Sequence, residues 1–274
     1  MICLTTDLHH MGLKTGNQAH ADITEIQIAQ RYLHMLEDAG VLATFFVTGK
    51  AFAEEWEDLK PICFSDYTEI GGHNYYAFKP ELWHRIWNKL TGNYNGCYWY
   101  QKWDAQKTIR IIEEKTGRKI SVWRNHMYMH GPNTEKVLAK LGIKICSDGV
   151  KKDSNGLQKH PTGIYNFPLN IIPDHEHLYH AERTPQWVEK WQKRYNWSDD
   201  FGPNSYYIEK WTELVLEQLA KNEERGVISN MIIHPITMYL CDNFKSFRRI
   251  LDYLEERETV FMSSLLQNEG KDGG

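Results

Sequence analysis

Four ionisable residues of this 274-residue sequence each stand at the end of a segment that is typical of a buried strand. They are Asp7, His73, Arg124 and His234, and the segments before them are residues 2–6, 69–71, 120–123 and 227–233. Because the carboxyl ends of parallel strands meet on one face of an α/β fold, we expect the four side chains to converge there. One carboxylate, one guanidinium and two imidazoles in one place indicate metal-assisted or acid/base chemistry. A single such residue would indicate only a helix cap or a solvated charge, so the hypothesis depends on the four together.

The elements that must position these residues alternate between strand and helix. Asp22 and Glu25 form an Asp-x-x-Glu pair typical of a helix start, and the helix after them is expected to end at Gly40. The remaining strands are predicted over 41–48, 143–146 and 165–171, and the remaining helices over 51–59, 103–114, 134–141, 206–225 and 243–257. The polar and aromatic stretches 83–100 and 174–203 are predicted to be loops. This alternation predicts a parallel sheet, open or closed into a barrel, within a single domain over residues 1–274.

Composition argues against several classes of function. The formal charge of −4 disfavours a protein that binds nucleic acid through its phosphates. The five cysteines are scattered without Cys-x-x-Cys spacing, which indicates neither a disulfide framework nor a zinc ribbon. No stretch is apolar enough to span a bilayer, and the first residues lack the pattern of a signal peptide. We therefore expect a cytoplasmic protein without a membrane span.

Several short motifs, in order along the chain, resemble those of the polysaccharide deacetylases. This carbohydrate esterase family includes the chitin and peptidoglycan deacetylases. The motifs are Leu4-Thr5-Thr6-Asp7, Ala43-Thr44-Phe45-Phe46-Val47-Thr48-Gly49, Glu69-Ile70-Gly71-Gly72-His73, Trp123-Arg124 and Ile232-Ile233-His234-Pro235. The resemblance runs from Ile2 to about Leu266, and the chain looks like a divergent member of that family.

The resemblance implies both a fold and an activity. The fold would be an irregular (β/α) barrel with about seven parallel strands. The activity would be metal-dependent removal of an N-acyl group, acetyl above all, from an amino sugar. Because the sequence lacks the pattern of a signal peptide, we expect that sugar in an intracellular glycan or glycan precursor. Asp7 would be the catalytic base, His234 the general acid, and Arg124 the partner that orients Asp7. The cofactor would be a divalent metal, Zn²⁺ first, with Co²⁺, Ni²⁺ and Mn²⁺ as alternatives.

The metal ligands depart from the family pattern. Leu8 stands where a second carboxylate is usual, and Ala77 stands where a second histidine is expected four residues after His73. His9 can replace the carboxylate, because strand residues two apart point to the same side and His9 then shares a site with Asp7. His9 and His73 are therefore the predicted metal ligands, and a further ligand is open. The candidates are His10, His126, Asp7 itself and the run of residues 174–177 with His175 and His177.

Two other functions remain open at this point. The same scaffold could hydrolyse a different C–N bond, such as a formamide or a ring amide. Alternatively, the missing ligands could mark a non-catalytic carbohydrate-binding homologue. The sequence does not indicate which sugar is bound or how many copies of the chain associate.

Overall fold

One curled sheet of eight strands organises residues 1–266, the part of the chain that the computed structural model describes. The strands are β1 (Ile2–Leu8), β2 (Ala43–Val47), β3 (Thr68–Gly72), β4 (Val122–Trp123), β5 (Ile145–Cys146), β6 (Gln158–Lys159), β7 (Tyr165–Asn166) and β8 (Ser229–Ile232). Their order across the sheet is β6-β7-β5-β4-β3-β2-β1-β8, and every neighbouring pair is parallel except β6 with β7. The predicted α/β barrel with about seven parallel strands is thus confirmed as a distorted, incompletely hydrogen-bonded barrel.

Side chains of β1 alternate between the outer helices and the barrel interior. Leu4 and Leu8 belong to the large apolar cluster under the helices, whereas Cys3 packs inside with residues such as Phe46. Asp7 lies on the interior side with Cys3, because residues two apart face the same way. All seven residues of β1 are buried, so a charge at Asp7 must be satisfied by protein groups.

Helices surround this sheet. They are α1 (Glu25–Ala39), α2 (Gly49–Glu54), α3 (Trp56–Phe64), α4 (Glu81–Thr91), α5 (Tyr98–Thr116), α6 (Thr134–Lys140), α7 (Asp174–His177), α8 (Pro185–Tyr195), α9 (Ile208–Glu224), α10 (Pro235–Asp242) and α11 (Lys245–Leu254). Helix α1 ends as predicted at Gly40, whose left-handed φ of 66° suits glycine. Among the described residues, no helix has the length and apolar character needed to cross a membrane.

The helices differ from the predictions in three respects. The capping pair of α1 is Thr24 with Gln27, because Thr24 adopts the extended backbone of a cap and its hydroxyl accepts the Gln27 N–H. The stretches 83–100 and 174–203 are not loops, since they contain most of α4, the start of α5, and α7 and α8. Helix α10 was not predicted, and left-handed residues Asn243 and Phe244 separate it from α11.

An asparagine pair connects the two ends of the curled sheet. The backbone N–H of Asn170 donates to the carbonyl of Asn230 at 3.1 Å, and the Asn230 N–H donates to the Asn170 side chain at 2.8 Å. The Asn230 amide also donates to the Phe167 carbonyl and to the Ser147 hydroxyl. We call Asn170 and Asn230 the asparagine seam, because their side chains link β8 to the chain beyond β7, where the regular ladder of strand hydrogen bonds ends.

Candidate active site

A buried ion pair occupies the carboxyl end of β1. Arg124 donates from Nη1 to Oδ1 of Asp7 at 2.9 Å, and both residues are almost fully buried. The guanidinium is held in place by the Thr5 hydroxyl at 2.9 Å and by the carbonyl and hydroxyl of Ser147 at 3.0 and 2.7 Å. Burial by itself would raise the pKa of Asp7, but His73 and Arg124 lower it below its usual value. Asp7 is therefore a carboxylate at neutral pH.

Three histidines meet beside this ion pair. Nε2 of His9 lies 3.0 Å from Nε2 of His73 and 3.1 Å from Nδ1 of His126. These three nitrogen atoms all lie within 4.8 Å of one another. Nε2 of His73 is also 3.6 Å from Oδ2 of Asp7. We call His9, His73 and His126 the imidazole cluster.

Local sequence places each of these histidines. His9 directly follows β1, and His73 directly follows β3. The glycine at 72 is required there, because a Cβ at that position would collide with the ring of Trp123. His126 follows β4 in a short turn in which Met127 and Tyr128 have positive φ angles of 57° and 53°. Such angles are costly for residues other than glycine, and they are found most often at functional sites.

Hydrogen bonds to groups outside the cluster indicate which ring nitrogen of His73 and of His9 carries a proton. The Arg124 carbonyl can only accept, so Nδ1 of His73 donates to it at 2.8 Å and Nε2 is left bare. Oε1 of Glu25 accepts the backbone N–H of His9 at 3.0 Å and lies 3.1 Å from Nδ1 of the same residue. In a neutral His9 ring, a proton on Nδ1 leaves Nε2 bare as well, so that two lone pairs would face each other at 3.0 Å and repel. A cation bound between them would remove that repulsion.

The nitrogen atoms of the imidazole cluster lie close enough together to bind one divalent metal ion. Burial lowers the pKa of His73 to about 3, so the ring is the neutral ligand that a metal requires. Burial and the neighbouring imidazoles also lower the pKa of His126 well below its usual value. Zinc bound tetrahedrally at about 2.0–2.1 Å separates its ligand nitrogens by about 3.3 Å, close to the distances within the cluster. The bonds to Glu25 and to the Arg124 carbonyl are the outer partners that orient histidine ligands.

His234 follows β8, the neighbour of β1 in the sheet, and its ring lies beside the cluster. Its ring is stacked on that of His9, with the centroids 6.3 Å apart. Nδ1 of His234 lies 2.7 Å from Oδ1 of Asp174, whose other oxygen accepts the His234 backbone N–H at 2.6 Å. Burial alone would lower the pKa of His234, but Asp174, Asp7 and Glu176 raise it to about 9. His234 is therefore protonated at neutral pH.

The four additional candidates have different surroundings. His126 joins the imidazole cluster. His10 instead contacts Glu55 at 2.6 Å. Both ring nitrogens of His177 are engaged, by the Asn204 carbonyl at 2.7 Å and by Asp199 at 3.0 Å. The ring of His175 packs against that of His234, with the centroids 5.5 Å apart, so it lies at the pocket without reaching the cluster.

Sequence reasoning missed three residues that support the site. Glu25 was interpreted as part of a helix cap, and only its contact with His9 gives it a role at the site. Asn74 accepts the backbone N–H of His126 at 2.8 Å and donates to buried Asp104 at 2.9 Å. The Asp22–Glu25 spacing is explained equally well by a cap, and no pattern in the sequence connects Asn74 or Asp104 to His126.

Comparisons with known proteins show which family and which solved structures the chain is similar to. Residues 21–146 match the family model described as polysaccharide deacetylase. None of the curated proteins is similar enough to the sequence to count as a match. A protein from Mycobacterium smegmatis described as a polysaccharide deacetylase is 17% identical, with a TM-score of 0.69 over 97% of this chain and 88% of that one.

Two further solved structures share the fold. The PuuE allantoinase is 13% identical, with a TM-score of 0.63 over 95% of this chain and 85% of that one. A pseudoenzyme of the CE4 family from Bacillus anthracis is 15% identical, with a TM-score of 0.54 over 97% of this chain and 65% of that one. At these identities the likeness shows a shared fold, and the chemistry must be argued from the site.

Proposed function

We propose that this chain, which matches the polysaccharide deacetylase family model over residues 21–146, is a divergent member of that family and a metal-dependent hydrolase that removes an N-acetyl group from an amino sugar. One observation supports this proposal above the others. Asp7 and His234 border the same imidazole cluster, with pKa values shifted in opposite directions. A pair of titratable groups separated in this way supplies a base and an acid at the same pH.

Each residue then has one task. His9, His73 and His126 would hold the metal, which when bound polarises the amide carbonyl and makes a water molecule more acidic. Asp7 accepts the proton of that water as its oxygen attacks the carbonyl carbon. Arg124 keeps Asp7 ionised and oriented through the 2.9 Å contact. Leu8 stands where the family has a carboxylate ligand, and this ligand set contains no carboxylate. We therefore propose Zn²⁺ held by three neutral imidazoles, with Co²⁺, Ni²⁺ and Mn²⁺ as alternatives.

His234 completes the reaction. Its Nδ1 is engaged with Asp174, so Nε2 is the atom that donates a proton to the leaving nitrogen as the C–N bond breaks. The products are the free amine and the carboxylate of the acyl group. Met127 could supply a backbone donor for the developing oxyanion, since the Tyr128 N–H is already used by the Asn125 carbonyl at 3.0 Å.

We further propose an intracellular glycan or glycan precursor as the substrate. The five cysteines all lie within residues 1–266 and are free, and Cys3, Cys63 and Cys146 are buried. Five thiols without a disulfide between them suit a reducing compartment, which supports cytoplasmic action.

The experiment that tests this proposal measures metal content and product together. The purified protein is analysed for bound metal, then incubated with N-acetylated amino-sugar oligosaccharides with and without a strong chelator, and acetate and free amine are quantified. Chelator-sensitive release of acetate, absent in Asp7→Asn, is the expected result. Release of formate from an N-formyl substrate instead would support hydrolysis of a different C–N bond. Saccharide binding without turnover by the metal-loaded protein would support the non-catalytic alternative, which the fold shared with a pseudoenzyme keeps open.

A further inference from the structure

Helix α4 exposes apolar side chains instead of burying them. The exposed fractions are 69% for Leu82, 60% for Trp83, 40% for Ile86 and 72% for Leu90. We call these four residues the α4 stripe. Contiguous apolar surface of this kind on a soluble fold marks a site of interaction.

The orientation of α4 is held by the opposite side of the helix. His84 is buried and its Nδ1 contacts the Tyr94 carbonyl at 2.7 Å. At 3.6 residues per turn, Leu82, Ile86 and Leu90 follow one another along one side of α4, and His84 points away from them. The stripe therefore faces outward because the histidine side is anchored.

Cationic residues flank the stripe. Arg85 and Lys89, one turn apart and both exposed, lie directly beside the line of Leu82, Ile86 and Leu90. Residues 79–107, which contain α4, carry five Lys or Arg against two Asp or Glu, a formal charge of +3 within a chain of −4. The apolar surface and the excess of positive charge thus occupy the same segment.

We propose that α4 docks on the surface of an anionic lipid bilayer. An amphipathic helix with Trp and Leu on one side and Lys and Arg beside them lies in the plane of the interface, with the apolar side among the acyl chains and the cations at the head groups. With 11 residues α4 is too short to cross a bilayer. Trp99 and Trp103, 73% and 54% exposed on α5, lie in the same cationic segment. A protein partner would not require this excess of positive charge beside the stripe.

Docking through α4 would bring the candidate active site towards the membrane. The His84 ring contacts that of Phe78, with the centroids 5.0 Å apart, and Phe78 contacts the ring of His126 at 5.2 Å. One aromatic side chain thus connects α4 to the imidazole cluster. If the proposed function holds, the glycan carried by a membrane lipid is the substrate class that this placement favours; the docking itself does not depend on that step.

Vesicle binding tests the docking without any substrate. The full chain is sedimented with vesicles of phosphatidylcholine alone and with vesicles that also contain phosphatidylglycerol. We expect binding to the anionic vesicles, weaker binding to the neutral ones, and loss of binding as salt is raised. Leu82→Glu with Leu90→Glu should weaken binding about tenfold or more, because both side chains would have to leave the acyl region.

Charge-reversal variants distinguish binding through Arg85 and Lys89 from a general attraction between exposed cations and anionic vesicles. Arg85→Glu with Lys89→Glu should also weaken binding to anionic vesicles about tenfold or more. Arg248→Glu with Arg249→Glu, an exposed cationic pair on α11, is the matched control and should bind as the wild type does. All these positions are exposed, and circular dichroism checks that each variant is folded.

Three results would overturn the proposal. The first is no sedimentation with anionic vesicles. The second is equal loss of binding in the α11 control. The third is that the wild type does not bind vesicles but forms a concentration-dependent oligomer, and that the Leu82→Glu and Leu90→Glu variant is monomeric. That result would show that a second copy of the chain covers the stripe. Acetate release from a soluble oligosaccharide is measured separately, so a failure of the proposed function is distinguishable from a failure of the docking.

Discussion

Replacing Glu25 by glutamine should weaken zinc binding although Glu25 does not belong to the imidazole cluster. Oε1 of Glu25 accepts the backbone N–H of His9 at 3.0 Å and lies 3.1 Å from its Nδ1, in a position that is 3% exposed. The carboxylate therefore both orients the His9 ring and increases the electron density at its Nε2. Glutamine retains an oxygen that can accept, so the geometry should largely persist while the charge is removed.

The expected magnitude follows from what the substitution leaves in place. Removing the outer partner of a metal-binding histidine typically lowers metal affinity about 10- to 100-fold. Because one acceptor oxygen remains in Glu25→Gln, we expect about tenfold, which corresponds to about 1.4 kcal/mol. The other ring nitrogens of the cluster keep their surroundings, since His73 donates to the Arg124 carbonyl and not to Glu25.

Competition with a chromophoric chelator measures this change in the dissociation constant for zinc. Glu55→Gln is the matched control, because Glu55 contacts His10 at 2.6 Å in a similar carboxylate–imidazole pair outside the cluster. Zinc affinity in that control should equal that of the wild type. Unchanged affinity in Glu25→Gln, or an equal loss in Glu55→Gln, would show that the carboxylate–His9 contact does not tune a metal site.

Four further outcomes are expected. Asp7→Asn should abolish turnover while zinc content stays near that of the wild type, because the amide keeps the shape but cannot accept a proton; turnover near the wild-type rate would exclude Asp7 as the base. For His234, kcat should fall as pH rises through about 9, since the raised pKa keeps the ring protonated below that value and the donated proton is lost above it; kcat that is constant through this range would contradict the assignment. Along the same line, His234→Ala should lower kcat more than KM, because proton donation to the leaving group matters only in the transition state, and an effect on KM alone would reassign the residue to substrate binding. His126→Ala should reduce both zinc content and activity, with partial rescue by added zinc, and full occupancy in that variant would remove His126 from the ligand set.

Much of the sheet and the meeting point of the ionisable residues could be predicted because both follow from local pattern. Buried parallel strands consist of short apolar runs, and their carboxyl ends converge by topology, so Asp7, His73, Arg124 and His234 could be placed together. The contact between Asp7 and Arg124 joins residues that are far apart in sequence, yet each is marked by its own strand end.

The rest depends on features that no short segment encodes. Helix α4 is an exception, because Leu82, Ile86 and Leu90 recur at helical spacing and do indicate a helix, which the prediction of a loop over 83–100 overlooked. His126 could not be separated from His10, His175 and His177, because its position depends on left-handed backbone at Met127 and Tyr128. Residues of this size rarely adopt such angles, and only the surrounding fold imposes them.

The asparagine seam has a consequence for how the protein folds. Its Asn230 donates to the Ser147 hydroxyl, which accepts from Arg124, and Arg124 in turn holds Asp7. Strand β8 pairs with β1 across more than two hundred residues of intervening chain, and contacts of such long range form slowly, because the entropy of closing the loop opposes them. Ordering of the Asp7–Arg124 pair and completion of the barrel are therefore coupled events, and a nascent chain that has not yet incorporated β8 would hold the Asp7 carboxylate without its final support.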